Sequence, residues 1–528
     1  MTSPEKKHQA KIIESLQRPD FYSDPVRSVT LRETHISMVF LTGDVVYKVK
    51  KAVDMGFLDF TTLENRRQYC NQEVQLNRRL TSDVYLDVVA ITLENGRYRL
   101  QGPGEAVEYA VKMRQLPRRA TMAALLREDS LENHRIDLLA DVLSRFYRQA
   151  RTGSQISAYG TRDIVRKNCE ENFDQLAEFA ANTISKRMFI FIRSATRSFL
   201  NRRKQLFQRR VENGKIRDGH GDLRAGHIYF TEDGVQIIDC IEFNERLRCN
   251  DMASDLAFLA MDLDFEGFSG VARDLLKAFV RHSGDEDGYL LMDFYKCYRA
   301  LVRVKVNCLR LQQKNLVEDR RAELLKDTRR YMDLACEYAA QFARPAIWVV
   351  CGMVATGKST IARELAARFN VRRLSSDLIR KELFDDPATD RLAVGEGIYS
   401  READSITYGK LLRLAQKEIE KENSVIVDAT FSRQHNRQAM LRLAEDLDAN
   451  IIFLECFCSE AIIKERLKNR ETLPSVSDAR RQHFEKLKAL YEPLDDIPQA
   501  IRITIDTQNA LDATIREILS RADLPTPG

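Results

Sequence analysis

The alternation of hydrophobic and polar positions changes character twice along the chain. Residues 1–24 are polar with helical composition, broken by Pro19 and closed by Pro25. From Ser28 to Lys51 apolar residues recur at strand spacing in two runs, SVTLRETHISMVFL and VVYKVKK, joined by Thr42-Gly43-Asp44. A Gly-Asp turn between β-rich runs predicts a hairpin. Residues 61–80 have helical composition, and residues 84–94, 97–101 and 107–116 read as further strands. The stretch from Thr121 to Phe342 is mostly helical, with one patterned interruption. There HGDLRAGHIYF (220–230) and VQIIDCIEFN (235–244) form two apolar, strand-like pieces around the turn Thr231-Glu232-Asp233-Gly234. After Ala343-Arg344-Pro345 the rhythm becomes strand–helix–strand: AIWVVC, VRRLSS, VIVDATF, IIFLECF and IRITID are separated by helix-like segments. That rhythm predicts a parallel, doubly wound sheet with ligands at the C-terminal strand ends.

Composition narrows the class without naming it. At 528 residues the chain is too long for one core, and two to four domains are expected. With 44% hydrophobic and 30% charged residues, sizeable cores are possible. A formal net charge of +5 is small for this length and does not by itself call for nucleic acid. The N-terminus lacks the apolar run of a signal peptide, and no stretch reaches the ~18 apolar residues of a membrane span. Ten cysteines without disulfide or zinc rhythm suit reduced thiols, so a cytoplasmic protein without membrane partners is expected.

The most specific motif is Gly352-Met353-Val354-Ala355-Thr356-Gly357-Lys358-Ser359, followed by Thr360. It sits between an apolar strand and a helix, the setting a phosphate-binding loop requires. The glycines let backbone N–H groups turn into one concavity at a helix N-terminus. Lys358 would reach the outer phosphates and the Ser359 hydroxyl a magnesium ion. Asp377 and Asp428 are expected at neighbouring strand ends. Asp428 would hold magnesium, Asp377 would take the proton of an acceptor hydroxyl, and Arg380 would position an anionic substrate. Arg466 and Arg470, four apart, would face one way and close over the transferring phosphate.

In the first half, Lys48 and Lys50 project from one strand face, and Glu73 lies within the next helix. Two strands, a helix and more strands is how a protein-kinase-like small lobe is assembled, where a strand lysine pairs with a helix glutamate. Lys48 and Glu73 are the candidate pair, with Lys50 the alternative lysine. The sequence RETHIS stands where a glycine-rich loop would be. Further on, Asp222 and Asp239 have the spacing of a proton-accepting aspartate and a magnesium-holding aspartate. His220 is expected to organise the loop. The basic run Arg193–Lys215 is either a solvated face or an anion-facing one. Its few aromatic residues, Phe199 and Phe207, make nucleic acid the weaker partner.

His220-Gly-Asp222-Leu with Ile237-Ile-Asp239 resembles the aminoglycoside phosphotransferase and choline-kinase branch of the kinase-like fold, over roughly residues 25–340. Asp251-x-x-x-Asp255 resembles the same branch, where such an aspartate braces the catalytic loop. The resemblance implies a second magnesium ligand five residues after Asp222. That position is His227, an imidazole where a hard oxygen is preferred, with Glu242 and Asn244 as alternative oxygen donors. Residues 346–522, through SSDLIRKEL and VIVDATFSR, resemble small P-loop kinases of the polynucleotide-kinase and gluconate-kinase type. An AAA-type ATPase is set aside because the segment is too short for a helical lid subdomain. The whole resembles bifunctional aminoglycoside-phosphotransferase-like and ATP-binding proteins.

The expected fold class is therefore α/β and α+β. An N-terminal protein-kinase-like two-lobed domain precedes a P-loop NTPase domain with a doubly wound parallel sheet. Expected boundaries are an extension over 1–24, a kinase-like domain over 25–342 with lobes 25–118 and 119–342, and a P-loop domain over 346–528. The implied cofactors are ATP and Mg2+, and the implied activity is phosphoryl transfer to a hydroxyl of a small molecule. Two alternatives stand beside it: a pseudokinase sensor regulating the P-loop domain, and phosphorylation of nucleic-acid 5′ ends.

Overall fold

A computed structural model describes residues 4–56, 58–180, 182–313, 316–369, 371–384, 400–469 and 484–522. The chain divides into two compact units. One comprises Met1–Glu178, Phe207–Asp285 and Tyr295–Leu334; the other comprises Phe179–Leu206, Glu286–Phe294 and Ala335–Gly528. The second unit thus includes two segments that precede the Ala343–Pro345 junction. The fold class is mixed α/β as expected, with an antiparallel sheet and helices in the first part and a parallel sheet in the second.

The first unit opens with a six-stranded antiparallel sheet. Its strands are β1 (Thr30–Glu33), β2 (Ser37–Leu41), β3 (Val45–Lys50), β4 (Tyr85–Glu94), β5 (Arg97–Leu100) and β6 (Glu105–Arg114), in the order β1-β2-β3-β6-β4-β5. The first apolar run is two strands rather than one, because Thr34 bonds back to Ser37 and closes a turn at Thr34–Ile36. The helix Leu63–Asn77 starts where the Thr62 hydroxyl accepts the Asn65 N–H, a standard N-cap. Its buried residues Arg66, Cys70, Glu73, Val74 and Asn77 recur at helical spacing. That face covers the sheet side carrying Val46, Val111 and Met113. The opposite side, with Phe40, Tyr47 and Val49, is covered by Ile12 and Leu16 of the N-terminal helix Pro4–Leu16. The segment expected to be an extension is therefore a layer of the small lobe.

The remainder of this unit is helical around two small hairpin-like sheets. β7 (Ile216–Asp218) pairs with β10 (Cys249–Asp251), and β8 (Ile228–Thr231) pairs with β9 (Gly234–Ile237), both antiparallel. The strands are shorter than the apolar pieces that announced them, and residues 220–227 form an irregular loop ending in a 3-10 turn. The Ile238 N–H donates to the His227 carbonyl at 3.0 Å, one step beyond the β8–β9 ladder, and this draws His227 and Asp239 together.

In the second unit β11 (Ala346–Cys351), β12 (Arg372–Ser375), β13 (Val425–Asp428), β14 (Asn450–Phe457) and β15 (Arg502–Asp506) form a fully parallel sheet ordered β12-β13-β11-β14-β15. β11 is central and its sequence successor lies two places away, so the loop after β11 opens at a switch in winding direction. Val349, Val425, Val427 and Phe453 are all buried, as near-continuous apolar strands of a two-sided sheet must be. β12 ends at Ser375 and a helix begins at Ser376. Asp377 consequently sits in the first helical turn rather than at a strand end. Among the described residues no helix is long and apolar enough to cross a membrane.

Candidate functional site

In the first unit, β3 alternates its side chains and turns Val46, Lys48 and Lys50 towards the helix Leu63–Asn77. Glu73 on that helix is 1% exposed and divides its carboxylate between the two lysines. Lys48 Nζ lies 2.7 Å from one oxygen and Lys50 Nζ 2.7 Å from the other. The lysines then separate in role. Lys50 is fully buried and also pairs with Glu242. Lys48 also reaches Asp239 at 2.7 Å, so it is the lysine beside the expected metal aspartate. Burial alone would lower both ammonium pKa values, but Asp239 and Glu73 hold Lys48 well above its ordinary value, and Glu242 and Glu73 do the same for Lys50. Burial works against the Glu73 carboxylate too, and Lys48 and Lys50 nevertheless hold it below its usual range.

The loop 220–227 is pinned from beneath. Asp255 accepts the backbone N–H of His220 at 2.7 Å and of Gly221 at 2.9 Å, and the Tyr147 hydroxyl at 3.2 Å. Of the two aspartates in Asp251-x-x-x-Asp255, it is Asp255 that holds the loop. Gly221 has φ 86°, and a Cβ there would stand 3.0 Å from both Ile241 Cδ1 and the Leu247 carbonyl oxygen. The buried His220 ring contacts the Ile238 carbonyl through Nε2 at 3.0 Å and accepts the Asp222 N–H at Nδ1, 3.3 Å away. Its role is to shape the loop.

Asp222 and Asp239 both face this loop, and two basic side chains stand with them. Arg224 holds Asp222 in a two-pronged pair, 3.0 Å at each oxygen. Burial would raise the Asp222 pKa, but Arg224 first and His227 next bring the carboxyl well below its ordinary value. Asp239 likewise resists burial, held low by Lys48 and then His227, on a backbone with φ 64°. A non-glycine residue in that region carries strain of order 1–3 kcal/mol and is held there by its surroundings. Arg224 does not stand out in the sequence. Its only signal is its place two residues beyond Asp222, and in an irregular loop spacing does not give direction.

His227 lies between the two aspartates, Nδ1 3.7 Å from Asp222 and Nε2 3.8 Å from Asp239. Burial, and then Arg224, lower its pKa to about 4, so the ring is neutral near pH 7. Nδ1 contacts the Asp222 carbonyl at 3.0 Å and Nε2 contacts Arg224 Nη2 at 2.9 Å. The consistent tautomer has Nδ1–H donating to the carbonyl and Nε2 accepting from Arg224. Both ring nitrogens are then engaged, and the ring stands as a neutral wedge between the two aspartates. Glu242 is buried against Lys50, with its pKa raised by that burial. Asn244 caps the turn after it, its side chain accepting the Arg246 N–H at 3.0 Å. Among the described residues no three His, Cys, Asp or Glu side chains are grouped to hold a metal unaided. Magnesium needs only one or two carboxylates when phosphates complete its shell. Asp239 supplies one carboxylate of that kind.

The loop after β11 is built from backbone. Gly352, Ala355 and Gly357 all have positive φ, 127°, 60° and 91°. A Cβ on Gly352 would fall 2.2 Å from the Cys456 carbonyl oxygen, so only glycine fits. Lys358 folds back over the loop and donates to the Met353 carbonyl at 2.6 Å, and Thr356 Oγ1 donates to the same oxygen at 2.8 Å. Val354 completes the loop, and Ser359 and Thr360 lie in the first turn of helix Lys358–Phe369. Asp428 closes β13 and is 3% exposed, with Arg373 of β12 donating to it at 3.1 and 2.6 Å. Strand register explains the pairing. Val350 and Ser375 flank Asp428 in the sheet, a placement that a linear reading does not supply. The Ser359 hydroxyl and the Asp428 carboxylate are hard oxygen donors suited to magnesium.

Arg380 donates to Asp404 at 2.5 Å and is buried. Arg466 rests on the loop, with Nη1 donating to the Ala355 carbonyl and Thr507 Oγ1, both at 3.2 Å. Thr507 in turn donates to the Thr356 carbonyl at 2.6 Å, and nothing in the linear sequence marks it. Asp377 is half-buried. Arg470 lies outside the described residues.

Comparison with known proteins gives both parts relatives. Residues 347–494 match the family model AAA_33, described as "AAA domain". The short length of this segment argued against an AAA label, so length alone does not separate the two groups. "Uncharacterized protein Rv2004c" of Mycobacterium tuberculosis is 32% identical over 448 residues, covering 84% of this chain and 86% of that one. "Uncharacterized protein Mb2027c" of Mycobacterium bovis matches with the same identity and coverage. Among solved structures, a choline/ethanolamine kinase family protein from Mesorhizobium loti is 12% identical with TM-score 0.36, covering 62% of this chain and 98% of its own. A putative kinase from Chloroflexus aurantiacus is 22% identical with TM-score 0.28, covering 33% and 96%. Structural likenesses at these scores carry no functional weight.

Proposed function

Taking as premise that this chain belongs to the family of the mycobacterial protein Rv2004c, we propose one chemistry for its two sites. It is ATP-dependent transfer of a phosphoryl group to a hydroxyl of a small molecule. The observation that carries the proposal is the loop 352–359. Three left-handed residues turn its backbone into a cradle, and the Lys358 ammonium already lies across it.

In the second unit the N–H groups of Gly352–Thr360 would hold the phosphates, and Lys358 would exchange the Met353 carbonyl for phosphate oxygen. Ser359 and Asp428 would hold magnesium. A bound magnesium ion supplies neutralisation of the phosphate charge. Asp377 would accept the acceptor's proton, Arg380 would orient an anionic acceptor, and Arg466 with Arg470 would face the charge that develops. In the first unit Lys48, fixed by Glu73, would contact phosphate, and Asp239 would hold the metal. Asp222 would orient the attacking hydroxyl. Its carboxyl is held so low that it acts by position more than by basicity.

The test is label transfer from γ-labelled ATP into a metabolite mixture by the full chain and by its Lys358→Ala and Asp222→Asn variants. Loss in one variant assigns the activity to that unit. Undiminished transfer in both would defeat the proposal.

A second reading has its own support. Engaged nitrogens on His227 and the Arg224 clamp on Asp222 favour a first unit that binds nucleotide without turning it over, and so senses rather than catalyses. Nucleotide titration of the full chain separates the two, because a sensor retains an Asp239-dependent binding event while Asp222→Asn leaves every activity unchanged.

A further inference from the structure

The helix Pro4–Leu16 lies on the small-lobe sheet along a narrow face. Gln9, Ile12 and Leu16, spaced i, i+3 and i+7, are buried there. Ile12 and Leu16 cover apolar strand residues. Gln9 is different, because a buried amide costs free energy unless it is hydrogen-bonded. Its Oε1 accepts the Ala52 N–H at 3.0 Å, and its Nε2 donates to the Lys50 carbonyl and to Glu108 Oε2, both at 2.8 Å. Two of these bonds hold the end of β3, the strand that carries Lys48 and Lys50.

The third bond leads to the helix that carries Glu73. Glu108 on β6 is fully buried and accepts Arg66 Nε on its two oxygens, at 2.9 and 3.0 Å. Arg66 Nη1 also donates to the Phe60 and Thr61 carbonyls, each at 3.0 Å, where the chain enters the helix Leu63–Asn77. Glu73 lies about two turns further on, and both residues are on the buried face. Phe60 closes the circuit, since Lys50 Nζ stands 4.9 Å from its ring centroid. The lysine strand and the glutamate helix are therefore joined twice. One join is direct, through Glu73. The other runs around the side, through Arg66, Glu108 and Gln9.

An apolar cover does not need such a residue. Hydrophobic contact is non-directional, so Ile12 and Leu16 alone would leave the helix free in register, and a leucine at position 9 would serve. A fully bonded buried amide selects one placement. Without it the Lys50 carbonyl, the Ala52 N–H and the Glu108 carboxylate each lose a buried partner. The end of β3 and the start of the helix are the segments that would shift in response, and Lys48 and Glu73 move with them.

We infer that the helix Pro4–Leu16 is a positioning element of the nucleotide site in the first unit, and that Gln9 is the residue through which it sets Lys48 against Glu73. This rests on the reading of Lys48 as a phosphate contact. It makes the N-terminal helix a handle on that site: lifting it withdraws Gln9 and weakens the grip on phosphate.

The test is calorimetric titration of the full chain with ATP and magnesium. The binding event that Lys48→Ala weakens is that of the first unit. Gln9→Met keeps the length of the side chain without the amide, and Gln9→Glu sets a second carboxylate against Glu108. Each is expected to weaken that event by about tenfold or more and to leave binding by the second unit unchanged. Ile91→Ala lies in the same buried layer, outside the chain of bonds. It is expected to lower the melting temperature and leave ATP affinity unchanged, which is what a merely structural loss does. A folded sample of either Gln9 variant decides the matter. Unchanged affinity there, or an equal loss in Ile91→Ala, overturns the inference and keeps the site. A titration in which Lys48→Ala alters no binding event overturns the reading of the site itself, so the two failures are distinguishable.

Discussion

The two sites handle charge in opposite ways. In the first unit the charged side chains of the candidate site already satisfy one another: Glu73 serves Lys48 and Lys50, Lys48 serves Asp239, and Arg224 serves Asp222. In the second unit the cradle is backbone, held in shape by Gly352, Gly357, Thr507 and Arg466. Lys358 donates to the Met353 carbonyl, a contact that an arriving phosphate would displace. A network of mutual ion pairs is rigid and resists reopening, whereas a shaped backbone accepts an anion with little rearrangement. The comparison predicts that stability is concentrated at the first site and readiness to bind at the second.

The largest effect should come from Glu73→Gln. It takes a shared counter-charge from two buried ammonium groups, leaving Lys48 only Asp239 and Lys50 only Glu242, and removing one partner of a buried pair costs about 3–5 kcal/mol. Urea unfolding followed by circular dichroism measures it; a loss below about 1 kcal/mol would contradict the shared-carboxylate picture. Next, Lys358→Ala should lower phosphoryl transfer by the second unit about 10²–10³-fold, as removal of one charge-stabilising donor does, with little change in unfolding. A large stability loss there would erase the contrast. Thr507→Val removes the hydroxyl that bridges the Thr356 carbonyl and Arg466. It should cost about 1–2 kcal/mol and weaken ATP binding, read by titration.

The smallest effect concerns pH. His227 has a folded pKa of about 4, below the unfolded value near 6.5. Between those values the unfolded chain binds the extra proton, so stability falls as pH drops from about 6.5 towards 4. Asp222 and Asp239 are held below their unfolded range. Their contribution is complete above about pH 4 and disappears on further acidification. Thermal melts of the His227→Asn variant should show a shallower decline between pH 6.5 and 4. An unchanged upper slope would mean that other buried histidines carry it.

The same distinction governs how much of each site is readable from sequence. The second site is a local motif: strand, glycine loop and helix are contiguous, so Gly352–Ser359 is plain on inspection, and Asp428 is reached by strand-end logic. Arg373 and Thr507 are not, because they reach the site through sheet register and through a strand some 150 residues away. In the first unit the periodicity of β3 shows that Lys48 and Lys50 share a face. It leaves open which one meets Glu73, and the carboxylate in fact takes both. The bracing by Asp255 is legible by resemblance, whereas Arg224 and the engaged nitrogens of His227 depend on side-chain direction in an irregular loop. The small-lobe layer formed by residues 4–16 is easily overlooked because its apolar face is only Ile12, Leu16 and their neighbours.

The sharing of one carboxylate by two lysines has a further consequence for cooperativity. The helix that carries Glu73 cannot swing outward alone without breaking both of its ion pairs to β3 at once. Its amide protons in the turn around Glu73 should therefore exchange with solvent only when β3 itself opens, at a rate shared with the strand. The small lobe would then behave as a single exchanging block, in which any ligand that grips Lys48 slows the whole of it.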